Sequence, residues 1–204
     1  MWYNKHHIPV LTSQEWYQLL AKEYAQFHKR LHERDRGLLE RFLPRKLSWL
    51  SILDIGWGDG RMAKHFVDKW CSEYRIIDCA PALMARAPRW TQQQEVDLNQ
   101  PRELTHEYDV MLCFFVIVHI QDLVPFFSHL ATWLAPEGRC ILLHHLERDG
   151  YLHTVAGKSF KIQTWYHSTN HVEYAAGQAG LARDTIDYTD LGEPGSTLYC
   201  FYRA

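Results

Sequence analysis

Three glycines alternate with other residues directly after a short apolar segment. The segment is Ser51–Ile55, and Gly56, Gly58 and Gly60 follow it, with Trp57 between the first two. Glycines after a strand let a ligand approach the backbone closely, and the first turn of a following helix offers free N–H groups at the positive end of its dipole. The spacing therefore favours a nucleotide-like ligand, although an ordinary turn between a strand and a helix also uses glycine.

An acidic residue ends the next apolar segment. Asp78 closes the stretch YRIID and lies 18 positions after Gly60. At that separation an acid can accept hydrogen bonds from ribose hydroxyls, so the glycines and the acid together predict an adenosine-type cofactor. The spacing is G-x-G-x-G rather than the G-x-G-x-x-G of nicotinamide and flavin enzymes, which argues against a nicotinamide oxidoreductase.

Segments with the pattern of strands alternate with helical segments along the chain. The predicted strands lie in SILDI, YRIID, YDVMLCFFVIV, RCILLH, LARDTIDYT and STLYCFYRA. Predicted helices start after Ser13 and near Asp122, and cover 34–42, 61–70, 81–87 and 168–179. This alternation predicts an α/β fold with a mostly parallel sheet and helices on both faces. The last two strands have no helix between them, which predicts at least one antiparallel pairing.

Length and composition limit the class of protein. The 204 residues predict a single domain over 1–204, and 47% hydrophobic residues are typical of a globular chain. The net charge of −2 argues against a nucleic-acid surface. Five cysteines without a C-x-x-C pair predict reduced thiols and a cytoplasmic location. No apolar run approaches 18 residues and no Cys/His spacing suits zinc, so we expect neither a membrane span nor a metal site.

Several motifs in order resemble a known family. ILDIGWGDGRMAKHF, YRIIDCAPALMARA, YDVMLCFFVIVHIQDL and LAPEGRCILLHH resemble motifs of the class I S-adenosylmethionine-dependent methyltransferases, particularly the small-molecule group of quinone and biotin biosynthesis. LAKEYAQFH is similar to the helix that lays a Tyr over the cofactor in such enzymes, and the resemblance covers about 17–204. It implies a Rossmann-like methyltransferase fold, a mostly parallel seven-stranded sheet with an antiparallel C-terminal strand, and methyl transfer from S-adenosyl-L-methionine to a small-molecule or carrier-linked acceptor, leaving S-adenosyl-L-homocysteine.

The resemblance also implies roles for individual residues. Asp54 and the glycine backbone would face the methionine part of the cofactor, Asp78 the ribose, and Asp97 the adenine amino group, although Asp97 could also be a turn residue. Phe114 and Phe115, which follow the strand segment YDVMLC, would contact the cofactor or belong to the core. The full set of implied cofactor contacts is Tyr24, Asp54, Gly56, Trp57, Gly58, Gly60, Asp78, Cys79, Asp97, Leu98, Phe114 and Phe115.

Trp57 departs from the family pattern, which has a small residue at this position. An indole is far larger than the side chain of Cys or Ala. It would either form a wall of the substrate pocket or weaken cofactor binding. The second possibility keeps open an alternative function, a catalytically inactive cofactor-binding or interaction protein.

Methyl transfer to a hydroxyl, an acidic carbon or an amine is helped by a nearby base. The candidates are His119, His144, His145, Tyr166 and His167. His144 and His145 would point to opposite faces of a strand, so at most one of them should face the pocket. Acceptor recognition is expected from an N-terminal helical cap, 1–45, and a substrate-side flap, 146–168. The chain lacks an Asp/Asn-Pro-Pro-Tyr-like sequence, which further argues against a nucleic-acid substrate, and we expect a monomer or homodimer.

Overall fold

The structure is a computed structural model. It describes residues 8–27, 37, 41–43, 48–56, 58–66, 71–100, 103–145, 152–155, 157–189 and 196–204. The predicted helix 34–42 therefore lies largely outside the described residues, as does the end of the helix predicted over 61–70.

Strands and helices alternate along the central part of the chain. The strands are β1 Val10–Leu11, β2 Ser51–Ile55, β3 Glu73–Asp78, β4 Gln92–Glu95, β5 Tyr108–Phe114, β6 Leu134–His145, β7 Leu152–Val155, β8 Lys158–Ile162, β9 Leu181–Thr189 and β10 Ser196–Arg203. The α-helices are α1 Ser13–Phe27, α2 Arg61–Phe66, α3 Pro81–Met84, α4 Leu123–Trp133 and α5 Thr169–Gln178, and a 3-10 turn spans Ile117–His119.

Seven strands form the main sheet in the order β4-β3-β2-β5-β6-β10-β9. Strand β10 runs antiparallel to both of its neighbours, β6 and β9, and the other described pairings of this sheet are parallel. The predicted fold class, a mostly parallel sheet with an antiparallel C-terminal strand, is confirmed. The strand β6 begins at Leu134 rather than at Arg139 as predicted, because Leu134 already pairs with Tyr108 of β5.

Both faces of the main sheet are covered by apolar side chains. On β5, Met111 and Cys113 face the cluster that contains residues of α4 and α5. Val110 and Leu112 face the opposite cluster, which contains residues of α2 and α3. A strand buried on both sides needs apolar side chains at every position, which explains the uninterrupted apolar run in this part of the sequence.

A second, three-stranded sheet was not predicted. The strands β7 and β8 form an antiparallel hairpin within the expected flap, and β1 pairs in parallel with β8. Lys161 N donates to Pro9 O at 3.0 Å, and Gln163 N donates to Leu11 O at 2.7 Å. These bonds tie the chain just before α1 to the hairpin, so the N-terminal helix and the flap segment are held together.

The order of the main sheet reverses between β2 and β5. The carboxyl ends of β2, β3 and β5 therefore meet at one edge, which is where open α/β sheets bind their ligands. Within the part of the chain that the structure describes, no helix combines the length and the apolar character that crossing a membrane requires.

The start of α4 provides a test of this fold. The Asp122 carboxylate accepts a hydrogen bond from Val124 N at 3.0 Å and caps the helix. Asp122→Ala should lower the free energy of unfolding by about 1 kcal/mol, which corresponds to about 2–4 °C in melting temperature for a chain of this size. Asp122→Asn is the control, since the amide oxygen still caps. Equal melting temperatures for both variants in thermal denaturation would contradict the capping role.

Candidate active site

A cavity opens at the carboxyl ends of β2, β3 and β5. The space between its walls, including the mouth, is about 650 Å³. Nine of the residues predicted for the site line this cavity: Tyr24, Gly56, Asp78, Cys79, Asp97, Leu98, Phe114, Phe115 and His119. Five lining residues were not predicted: Ser13, Tyr17, Asn99, Val116 and Ile120.

Asp78 lies at the wall of this cavity with its carboxylate almost fully buried. One oxygen accepts a hydrogen bond from Gly58 N at 3.0 Å, and the other accepts one from Ala80 N at 2.8 Å. Burial raises the pKa of Asp78 to about 6, although these backbone donors favour the ionised form. A carboxylate can accept about four hydrogen bonds, so Asp78 retains capacity for a ligand's hydroxyl groups.

The backbone of the glycine loop lies so close to its neighbours that no side chain fits at Gly56 or Gly58. Gly56 has a φ of +73°, and a Cβ there would lie 2.6 Å from Val116 Cγ2. A Cβ on Gly58 would lie 2.7 Å from Leu83 Cβ. Gly56 lines the cavity, whereas Gly58 and Gly60 are not among its lining residues and shape the loop from behind.

Asp54 lies behind the cavity rather than on its wall. It is fully buried, and Tyr74 OH donates to its Oδ2 at 2.8 Å. Its Oδ1 has no hydrogen-bond partner among the described residues. Burial raises the pKa of Asp54 to about 8. The carboxyl therefore takes up a proton more readily than an exposed aspartate does.

A buried ion pair that sequence reasoning missed completes the loop. Arg61 Nε lies 3.1 Å from Asp59 Oδ1, and both side chains are buried. The Arg61 guanidinium also lies over the ring of Tyr24, 4.8 Å from its centroid. This cation–π contact holds α1 against the glycine loop. Arg61 forms its ion pair with Asp59, and its charge also attracts the Asp54 carboxylate, which opposes the rise in the pKa of Asp54.

Asp97 lies in a turn and also lines the cavity, which are the two roles that the sequence left open for it. Its Oδ1 accepts a hydrogen bond from Asn99 N at 3.0 Å, as in a turn, and the residue also lines the cavity. Phe114 is buried in the core and lines the cavity as well. Phe115 has a φ of +60° and turns the chain sharply after β5, so its side chain faces the cavity.

His119 is the one base candidate that lines the cavity among those whose side chains the structure describes. Its Nε2 and the hydroxyl of Tyr17 share a hydrogen bond of 3.2 Å, and the two rings are perpendicular with centroids 5.5 Å apart. Burial lowers the pKa of His119 to about 4 and raises that of Tyr17 well above its usual value. At neutral pH the pair therefore consists of a neutral imidazole and a neutral phenol.

His144, Tyr166 and His167 are not among the residues that line the cavity. His144 and His167 are buried, and their Nε2 atoms lie 3.1 Å from His167 O and 2.8 Å from Ile120 O respectively. Tyr166 is 57% exposed and does not line the cavity. The side chain of His145 and the whole of Trp57 are outside the part of the structure that is described, so the expectations for them stay predictions.

The described residues contain no group of three or more His, Cys, Asp or Glu side chains arranged to hold a metal ion. A parallel sheet whose order reverses at β2, a glycine loop after β2 and an acid at the end of β3 define a Rossmann-like protein with a site for a nucleotide-type ligand. Its sequence matches the methyltransferase-domain family over residues 27–201, and the chain belongs to that family. The family predicted from the motifs is confirmed.

Two curated relatives share part of the chain. It is 27% identical over 147 residues to a ubiquinone biosynthesis O-methyltransferase of Rickettsia akari, covering 59% of this chain and 58% of that protein. The protein of the same name from Rickettsia felis is 25% identical over 146 residues, with 59% of each chain covered. The chain thus spans less than two thirds of the length of these relatives.

Solved structures show the same fold at low sequence identity. The complex of DhpI with SAH has a TM-score of 0.73 and 17% identity, with 94% of this chain and 95% of that chain covered. An S-adenosylmethionine-dependent methyltransferase from Mesorhizobium loti has a TM-score of 0.70 and 15% identity, with 84% and 99% covered. These similarities confirm the predicted Rossmann-like methyltransferase fold.

The burial of Asp54 predicts a pH-dependent gain in stability when its acid is removed. The ordinary pKa of an aspartate is about 3.9, and that of Asp54 is raised to about 8. Its contribution to stability is therefore full below pH 4 and lost as the pH rises through 8. Asp54→Asn, which still accepts from Tyr74, should raise the melting temperature at pH 8 and change it little at pH 4.5.

Thermal denaturation at the two pH values checks this expectation. Each kcal/mol gained in the free energy of unfolding should raise the melting temperature by about 2–4 °C. Glu103→Gln, at an exposed acid, is the control. A gain for Asp54→Asn that is the same at pH 4.5 and pH 8 would contradict the burial argument.

Proposed function

We propose that this protein transfers a methyl group from S-adenosyl-L-methionine to a hydroxyl group of a small-molecule acceptor. The observation that carries the proposal is the buried Asp78 carboxylate, which joins the glycine loop to the end of β3 at the cavity wall. Membership of the methyltransferase-domain family supports it. So do the O-methyltransferase name of the Rickettsia relatives and the complexes of DhpI with SAH and with SAM.

The residues of the cavity fit this cofactor. Asp78 has acceptor capacity for the two ribose hydroxyls. Leu98 and Cys79 offer apolar surface for the adenine ring, and Asp97 an acceptor for its amino group. Gly56 lets the backbone approach the methionine part, because no Cβ fits there.

The charge of the loop also fits. S-adenosyl-L-methionine supplies a methyl group on a positively charged sulfonium sulfur, and its demethylated product lacks that charge. Asp78 is a buried acid whose pKa, raised to about 6, leaves its carboxylate ionised at neutral pH, while the ion pair of Arg61 is with Asp59. An excess of negative charge in a poorly solvated loop favours a cationic ligand.

Methyl transfer is a displacement that needs alignment and exclusion of water more than it needs a catalytic group. Tyr17, Phe115 and Val116 line the cavity with aromatic and apolar surface, which suits exclusion of water. When the bond from the acceptor oxygen to the methyl carbon forms and the sulfur–methyl bond breaks, the acceptor must lose its hydroxyl proton. That proton passes to the Tyr17 oxygen as Tyr17 gives its own proton to His119 Nε2.

The chemistry of the cavity also limits the acceptor. No Lys or Arg is among the described residues that line it, and most of the surface near His119 is aromatic or apolar. The described lining residues offer an anionic acceptor no positive side chain, so we expect an uncharged acceptor that carries a hydroxyl, in keeping with the O-methyltransferase name of the relatives. A cytoplasmic location and a monomeric or homodimeric state belong to the same proposal.

Cofactor binding and its pH dependence test the role of Asp78. We expect calorimetric titration to give a micromolar dissociation constant for S-adenosyl-L-homocysteine at pH 7.5. The pKa of Asp78 is raised to about 6, so its acceptor capacity falls as the pH drops below that value. The dissociation constant should then rise by up to about tenfold per pH unit below pH 6. Asp78→Asn should bind weakly at every pH.

Glu103→Gln serves as the matched acid-to-amide control and should bind like the natural protein. Absence of binding by the natural protein at millimolar ligand would contradict the proposed function. Binding that is equally strong for Asp78→Asn would contradict the role of this carboxylate alone.

The role of the Tyr17–His119 pair is tested by measuring kcat in variants of the two residues. His119→Gln and Tyr17→Phe should lower kcat at least about 100-fold, the lower limit for general base catalysis, with affinity for S-adenosyl-L-homocysteine within about twofold. Because the pKa of His119 is about 4, kcat at saturating cofactor should stay constant from pH 8 to about pH 5 and fall below that. The measurement is initial rate with a neutral catechol, and His106→Gln, at an exposed histidine, is the control. A kcat that His119→Gln leaves unchanged would remove His119 from the mechanism.

A further inference from the structure

The backbone around His119 is held by a side chain from the loop after β4. Asn99 Nδ2 donates to His119 O at 3.0 Å, and Asn99 Oδ1 accepts from Gln121 N at 2.8 Å. The amide therefore bonds on both sides of Ile120, as a neighbouring strand would. Two hydrogen bonds from one side chain restrict the rotation of the backbone around Ile120 as well as its distance from the loop after β4.

A second element holds the same stretch from the other side. His167 Nε2 lies 2.8 Å from Ile120 O, and Trp165 N donates to Val118 O at 2.8 Å. Both groups belong to the chain between β8 and α5. Ile120 O, a carbonyl, can only accept, so His167 Nε2 carries the proton of that ring.

The protonation of His167 is fixed by its other neighbours. Burial lowers the pKa of His167, so the neutral ring has its proton on Nε2 and a free acceptor at Nδ1. His171 Nδ1 lies 3.2 Å from that acceptor and therefore donates to it. His144 Nε2 lies 3.1 Å from His167 O and donates to that carbonyl. His167 thus acts as a structural donor rather than as the base that the sequence allowed.

We propose that Asn99 and His167 are positioning residues that hold the His119 imidazole against Tyr17 at the cavity, so that docking of residues 163–168 is required for an active base. The proposal rests on the proposed function where it calls His119 a base. The placement of His119 itself is independent of that function and is measurable without turnover.

The physical consequence of losing either contact follows from the burial of the stretch. Without the donor of His167, Ile120 O is left unsatisfied in a buried position, which is unfavourable enough to favour movement toward water. His119 would then leave the surroundings that lower the pKa of its ring to about 4. We expect that pKa to move toward the ordinary value of about 6.5.

The experiment compares His167→Phe, which removes the donor, with His167→Gln, whose amide can replace Nε2–H. The pKa of His119 is read from proton NMR of the imidazole signals, with His119 assigned by its absence in His119→Gln. In His167→Phe, the pKa should rise by at least about one unit, and kcat at saturating cofactor should fall at least tenfold with the KM for the cofactor within twofold. His167→Gln should restore both.

A second pair of variants keeps the test decisive if His167→Phe does not fold. Asn99→Leu removes both the donor to His119 O and the acceptor for Gln121 N without adding a charge near the imidazole, and Asn99 is exposed although it also lines the cavity. It should raise the pKa of His119 and lower kcat in the same way, while the exposed neighbour Gln100→Ala should change neither.

Two outcomes separate this proposal from the proposed function. A folded His167→Phe or Asn99→Leu protein with the His119 pKa and kcat of the natural chain overturns the positioning role while leaving methyl transfer intact. Variants that raise the His119 pKa in a protein that binds no S-adenosyl-L-homocysteine would support the positioning of His119 and overturn the methyl-transfer function.

Discussion

The carboxylate of Asp78 is the contact on which the rest of the candidate site depends. Its oxygens accept the amide hydrogens of Gly58 and Ala80, so it joins the loop after β2 to the turn after β3. The loop must lie this close for both bonds to form, and a Cβ on Gly58 would lie 3.1 Å from the same carboxylate. Without the carboxylate, two buried amides would lose their partner and the cavity would lose its acceptor.

The acids of this site oppose the stability of the fold. Burial raises the pKa of Asp54 to about 8 and that of Asp78 to about 6. At neutral pH the folded chain must therefore take up a proton or bury a charge, and both reduce the free energy of unfolding. The apolar clusters on the two faces of the sheet compensate this cost. A bound cation would relieve it, which is why such perturbed groups are typical of binding sites.

The central strands and the sheet they form were predictable because their signals are local. The segments SILDI, YRIID and YDVMLCF are apolar runs. The family motifs that contain them identify their order in the fold. The edge strand β4 was not found by periodicity, because QQQE contains no apolar residue and its side chains face solvent or Arg75. The sheet of β1, β8 and β7 was missed for a different reason. A strand of two residues, Val10–Leu11, has no pattern of its own and exists only through its pairing with β8.

The candidate site likewise combines residues that local sequence signals predict with residues that only tertiary packing brings together. Gly56 directly follows β2 and Asp78 ends β3, so the positions of these strand ends were enough to predict that the two would meet at one cavity, whereas Asp97 was predicted from the family resemblance. His119 was one of five base candidates, because its neighbours come from elements far away in the chain: Tyr17 lies 102 positions before it and His167 comes from beyond the hairpin. Residues at the ends of strands are identified by a local motif, whereas residues that position a side chain through the backbone are brought together only by the packing of α1, the flap and the sheet.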